Sequence, residues 1–146
     1  MLVSPHITAG VALGAAIGNP FVVVPLAIAG HFILDTVPHW QETLAPYHPT
    51  KKTFIRIPID FAIGACIIWL ALMAQPEHAL GILLGAFFAS APDLDVIVIT
   101  HPHLKKGLLH KYWEWHCAIQ RETSSLWGVV PQVAVIAAGL ATIYIA

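Results

Sequence analysis

The sequence predicts an all-α protein: a polytopic bundle of about five membrane-crossing helices, forming one domain over residues 1–146. Three observations carry this. Hydrophobic residues fill 58% of the chain and charged residues only 10%, where a soluble domain has roughly 25% charged. The apolar runs approach the ~20 residues that a membrane-spanning helix needs. Prolines and two polar stretches cut the chain into segments of helical length.

The first segment, Pro5 to Gly18, stops at Asn19-Pro20, a turn signal. Its length is about 21 Å as a helix, short of a hydrocarbon core of ~30 Å. The second runs from Phe21 to Pro38. The third runs from Ile57 to Gln75 and ends before Pro76. The fourth starts near His78 and meets Pro92, with the apolar run 96–99 as its continuation beyond a kink. The fifth runs from Leu126 to Ala146. Polar stretches Trp40 to Arg56 and Thr100 to Ser125 separate them.

Antiparallel threading puts both polar stretches on the side of the N-terminus. All seven basic residues (Lys51, Lys52, Arg56, Lys105, Lys106, Lys111 and Arg121) fall there, and none falls on the opposite side. The positive-inside rule makes the basic side cytoplasmic, in a plasma (inner) membrane with the N-terminus inside. The opening residues Met1 to His6 lack a basic n-region, so no cleaved signal peptide is expected. A net charge of −1 argues against a nucleic-acid partner. Cys66 and Cys117 have no ligand spacing and read as small hydrophobes rather than a disulfide or thiolate site.

Stacking the segments by helical rise puts His6 about 18 Å from the non-basic side, His31 about 15 Å, and Asp35, Asp60 and Asp93 about 21–22 Å. His39 lies near the basic side itself. Ionisable groups at membrane depth are costly and mark functional sites. Each also belongs to a stripe at four-residue spacing: His6, Gly10, Gly14, Gly18; Ala27, His31, Asp35, His39; Asp60, Gly64; Gly81, Gly85, Ala89, Asp93. Residues four apart share a helical face, and small residues there let membrane helices approach closely. The glycines alone fit an ordinary packing face; the ionisable residue capping each stripe calls for a shared site.

His31-x3-Asp35-x3-His39 offers three ligands on one face. Imidazole and carboxylate suit zinc, with manganese or iron as alternatives, and one or two ions. Asp35 could instead orient a histidine, or the pairs could relay protons. In Pro92-Asp93-Leu94-Asp95, Asp93 continues its stripe and Asp95 does not, so Asp93 ranks first as a ligand. If Pro92 ends the helix, both reach the site. The aromatic, basic run Lys111 to His116 reads as a helix at the membrane interface. On it His110 and Glu114 share a face, and His116 is a candidate to reach back to the site. His48, His101 and His103 read as surface histidines, His78 as remote, and Gln132 as an interhelical hydrogen-bonder.

The elements Pro5-His6-x3-Gly10, His31-x3-Asp35-x2-Pro38-His39 and Pro92-Asp93-x-Asp95 resemble small membrane-bound metal-dependent hydrolases, the YdjM-like group. That group's His-Arg-x2-Thr-His-Ser element is absent, and the order of elements differs. The resemblance implies a metal-dependent hydrolase. With the residues, it gives an expected ligand set of His6, His31, Asp35, His39, Asp60 and Asp93, with Asp95 and His116 as catalytic candidates. A phospholipid or lipid-linked phosphoester at the bilayer surface is the expected substrate class. Two alternatives stand beside it: a divalent-cation or proton transporter, and a non-catalytic scaffold stapled by metal.

Overall fold

The computed structural model describes residues 1–41, 51–96, 103 and 106–146. Among the described residues there are six α-helices: α1 (Val3–Ile17), α2 (Pro20–Asp35), α3 (Lys51–Ala74), α4 (Ala79–Ser90), α5 (Gly107–Ile119) and α6 (Ser125–Ile145). Short 3-10 turns, Pro76–His78 and Ala91–Val96, flank α4. Among the described residues there is no β-strand; His39 and Glu122 form one isolated parallel bridge.

Helix α1 is the axis, and α2, α3, α4 and α6 pack around it. Its last turn closes on Gly18, whose φ of 67° lies in the left-handed region that suits glycine. Asn19 then caps α2, its side chain accepting from the Phe21 N–H at 3.0 Å, and Pro20 opens the helix. The expected turn is therefore built as the residues dictate. At the start of α1, Asp60 of α3 accepts from the Val3 and Ser4 N–H groups at 2.7 and 3.2 Å. Gln132 of α6 accepts from Leu2 at 3.0 Å. Three N–H groups at the α1 terminus thus find partners on neighbouring helices.

The glycine stripes do pack helices. A Cβ on Gly10 would strike the Gly85 carbonyl, and one on Gly14 would strike that of Gly81. Between apolar helices in lipid, close backbone approach replaces the hydrophobic drive of a soluble core. Beside these contacts Val11, Ala15, Ile67, Ala71, Ile82 and Ile143 form the apolar core of the bundle. The outside carries the large apolar side chains: Phe21, Ile33, Phe54, Trp69, Phe87 and Trp127 are each more than half exposed. An apolar exterior around a small-residue interior is the pattern of a lipid-embedded protein.

Among the described residues, three stretches are long and apolar enough to cross a membrane: Lys51–Ala74, Pro76–Val96 and Ser125–Ile145. Helices α1 and α2 have 15 and 16 residues, about 22 and 24 Å, and fall short of that length. Side-chain contacts fix the antiparallel threading. Leu2 meets Gln132, Asp35 meets Met1 and His31 approaches Asp93 at one end, while Gln75 donates to the Ile143 carbonyl at the other.

Candidate metal centre

Asp35 ends α2, and its carboxylate is fully buried at the start of α1. Pro92 sits just beyond the last residue of α4, Ser90, and the chain tightens into the 3-10 turn Ala91–Val96. Proline lacks an N–H and cannot sustain the helix. The turn brings Asp93 and Asp95 to the same neighbourhood, although two residues apart on an α-helix would face different ways. The α5–α6 connection is latched to the segment after α2: Arg121 N–H donates to the Asp35 carbonyl, His39 N–H to Arg121, and Thr123 N–H to His39. That latch holds α5 with His116 turned inward.

His31, Asp35, Asp93 and His116 converge, one ligand atom from each lying within 4.8 Å of every other, and together they could hold a metal ion. His31 Nε2 is 3.1 Å from Asp35 Oδ2, 3.1 Å from His116 Nε2 and 3.6 Å from Asp93 Oδ1. His116 Nε2 is 2.9 Å from Asp35 Oδ2. Both imidazoles are fixed from behind. The His31 Nδ1–H donates to the Ala89 carbonyl at 2.7 Å, since a carbonyl only accepts. The His116 Nδ1–H donates to Asp95 Oδ2 at 2.7 Å. Each ring therefore aims Nε2 at the centre, the arrangement by which outer partners set the tautomer of a metal-ligating histidine. Two aimed imidazole nitrogens and two carboxylates form a donor set for a divalent transition metal.

The charges around α5 follow from these contacts. Burial opposes a charge on His116, but the hydrogen bonds to Asp35 and Asp95 outweigh it and hold its pKa up at about 9. With Nδ1–H engaged by Asp95, its Nε2–H donates to Asp35 Oδ2. Tyr112, on the same face, is pushed up to about 12 by burial and by the carboxylates of Asp95, Asp93 and Asp35.

The remaining expected residues take other places. His6 lies against the centre, with Nε2 3.2 Å from Asp35 Oδ1 and its ring stacked on His31 at 4.0 Å. Its other nitrogen, Nδ1, is buried without a hydrogen-bond partner. Asp60 stays outside the four-residue group because both of its oxygens cap α1. His39 also stays outside. It is fully buried on the extended latch, its Nδ1–H donates to the Val37 carbonyl at 2.7 Å, and burial pushes its imidazole pKa down. Asp95 holds the His116 ring, and His116, expected as a catalytic candidate, stands among the four residues that could hold a metal. Gln132 ties α6 to Leu2, Trp40 and Gly128 as its interhelical reading implies. His110 pairs with Glu114 at 3.5 Å. The surface readings of His48 and His101 fall outside the described residues.

Two features were not read from the sequence. The Met1 amine donates to Asp35 Oδ1 at 2.7 Å, and the Ala89 carbonyl orients His31. The stripe position of Ala89, four before Asp93, is the one signal that pointed there. No protein-family model, curated protein or solved structure matches this chain.

Proposed function

We propose that this chain is a membrane-embedded metal-dependent hydrolase whose centre faces the cytoplasm and acts on a phospholipid or lipid-linked phosphoester. The observation that carries the reading is the pair of imidazoles, His31 and His116, each with Nδ1–H engaged and Nε2 turned on the Asp35 and Asp93 carboxylates. Zinc is the first choice for two nitrogens and two carboxylate oxygens, with manganese or iron next. Bound there, the ion would supply Lewis acidity toward a phosphoryl oxygen and a water acidified for attack.

The residues divide the remaining work. Asp95 and Ala89 hold the two rings, and Asp35 bridges both histidines. Asp93 is the most exposed of the four, its side chain 26% exposed, and its buried Oδ2 has no hydrogen-bond partner. Substrate therefore arrives on the Asp93 side, beside α5. Lys106 and Lys111 on that side carry charge suited to phosphate. The described basic residues share the end of the bundle that holds the centre, and the positive-inside rule turns that end toward the cytoplasm. With α1 and α2 counted as additional spans, the chain crosses five times. The resemblance to the YdjM-like group supports the same reaction class.

Transport finds less support. Below the centre the bundle is filled by Val11, Ala15, Ile82 and Ile143, none more than 1% exposed, and these offer no polar route to the far side. A metal-stapled scaffold remains the second reading, favoured by the presence of four ligands, enough to close a tetrahedral zinc site.

Elemental analysis of the purified protein, followed by phosphate release from lipid phosphoesters, tests the proposal. The wild type is expected to hold zinc, manganese or iron in fixed ratio, with His31→Ala and Asp35→Asn losing both metal and activity. Active wild-type protein free of metal would refute it, and metal-loaded protein with no hydrolytic activity would favour the scaffold.

A further inference from the structure

A cavity of about 400 Å³ lies between α3 and α6, with the first turn of α1 as its floor. It is separate from the metal centre. Leu2, Ser4 and Pro5 face this cavity, whereas the Met1 amine and His6 turn to Asp35. Its walls are Ile59 and Ile63 of α3 and Val129, Val133 and Ile136 of α6. Ile63 and Val133 are 42% and 58% exposed, so the groove opens sideways, where the two spans meet the hydrocarbon.

One end is polar. Arg56, Trp40 and Ser125 line it, and the Arg56 guanidinium lies 5.2 Å from the centre of the Trp40 ring. Lys51 and Lys52 are exposed one to two turns before Arg56 on the same helix. From Ser125 to Ile136 the α6 helix rises about 16 Å, close to half of a hydrocarbon core of ~30 Å. The groove thus has a cationic, aromatic head and an apolar body one leaflet deep.

We infer that this groove binds one acyl chain of an anionic phospholipid, with the lipid phosphate at Arg56. Guanidinium matches phosphate oxygens in geometry as well as charge, and Trp40 has the amphipathic character of an interfacial residue. The inference stands independently of the chemistry at the metal centre.

The test is native mass spectrometry of the purified full chain, delipidated and then incubated with phosphatidylglycerol or with phosphatidylcholine of the same chains. Wild-type protein retains one phosphatidylglycerol in preference to phosphatidylcholine. Arg56→Gln, at an exposed position, weakens retention about fivefold, the factor for one basic contact at an anionic headgroup. Val133→Trp fills the groove and abolishes retention, while Leu83→Trp, on an exposed face of α4, leaves it intact. Chelation of metal leaves retained lipid unchanged. Equal retention of the two lipids by wild type, unaltered retention in Arg56→Gln and Val133→Trp, loss of lipid on chelation, or a second copy of the chain bound in place of lipid would each overturn the inference.

Discussion

Asp95 is the residue whose replacement separates orientation from ligation most sharply. Its Oδ2 accepts from the His116 Nδ1–H at 2.7 Å in a buried contact, and it lies outside the four converging ligands. Loss of an outer partner of this kind costs roughly 10–100-fold in metal affinity, which is about 1.4–2.7 kcal/mol at 1.36 kcal/mol per tenfold. The two obvious variants divide that range. Asp95→Asn keeps a carbonyl that accepts from Nδ1–H but loses the charge, and charge-assisted hydrogen bonds are about twice as strong as neutral ones. It is expected near tenfold. Asp95→Ala leaves Nδ1–H without its partner and the ring free to turn, and is expected near a hundredfold. His116→Ala removes a ligand and falls beyond both.

Competition titration of purified protein against a chromophoric zinc chelator reads these constants directly, with stoichiometry from elemental analysis. The ordering wild type, Asp95→Asn, Asp95→Ala, His116→Ala is the result expected, with stoichiometry preserved in the first three. Asp95→Ala within twofold of wild type would refute the orienting role. Loss of stoichiometric metal in Asp95→Asn, to the extent seen in Asp35→Asn, would make Asp95 a ligand.

Asp60→Ala removes the acceptor for two N–H groups of α1, each costing roughly 1–3 kcal/mol when left unpaired. Unfolding in mixed micelles should show that loss, while metal stoichiometry in Asp60→Asn stays at the wild-type value; a metal-free Asp60→Asn would return this residue to the ligand set. His39→Ala should likewise keep its metal by elemental analysis. Gly10→Val drives its side chain into the Gly85 backbone, where overpacking typically costs about 1–3 kcal/mol, and unaltered stability by the same assay would contradict the close α1–α4 contact. Metal uptake should depend on pH. The metal-free centre holds a proton on His116 below about 9, and the metal must displace it, so affinity rises with pH by up to about tenfold per unit below that value and levels above it. A flat profile in zinc titrations between neutral and alkaline pH would refute the assignment.

Much of this arrangement was legible because it follows helical spacing. Gly10 and Gly14 against Gly81 and Gly85 are consequences of four-residue periodicity on straight helices. Asn19-Pro20 signalled its own turn. The parts that escaped depend on what happens where helices stop. Asp60 lies at the depth of Asp35, and rise alone cannot tell a ligand from a cap; the free N–H groups of α1 decide it. His116 and Asp95 meet across 21 residues of sequence, on a pairing set by the latch between His39 and Arg121–Thr123. That latch is a backbone contact without a side-chain pattern to announce it. His39 completed the spacing His-x3-Asp-x3-His, yet α2 ends at Asp35, and the periodicity that put it on the ligand face ends there too.

Those helix ends also bear on why a cation suits this place. Asp35 is the last residue of α2, and Asp93 lies in the 3-10 turn that follows α4. Their C-terminal carbonyls carry the negative end of each helix dipole, which favours a cation by about 0.3–1 kcal/mol per helix and up to ~2 where partly buried. The positive end of α1 points the other way, and Asp60 answers it before it reaches the centre. Asp60 takes the Val3 and Ser4 N–H groups, so that Asp35 faces the two histidines and the Met1 amine instead. The shortness of α1 and α2, a poor fit to the bilayer if read as spans alone, is what brings one positive and one negative helix end to the same depth. A pair of full-length spans would carry those ends to the membrane surface, leaving an ionisable cluster at this depth without helix termini to stabilise it.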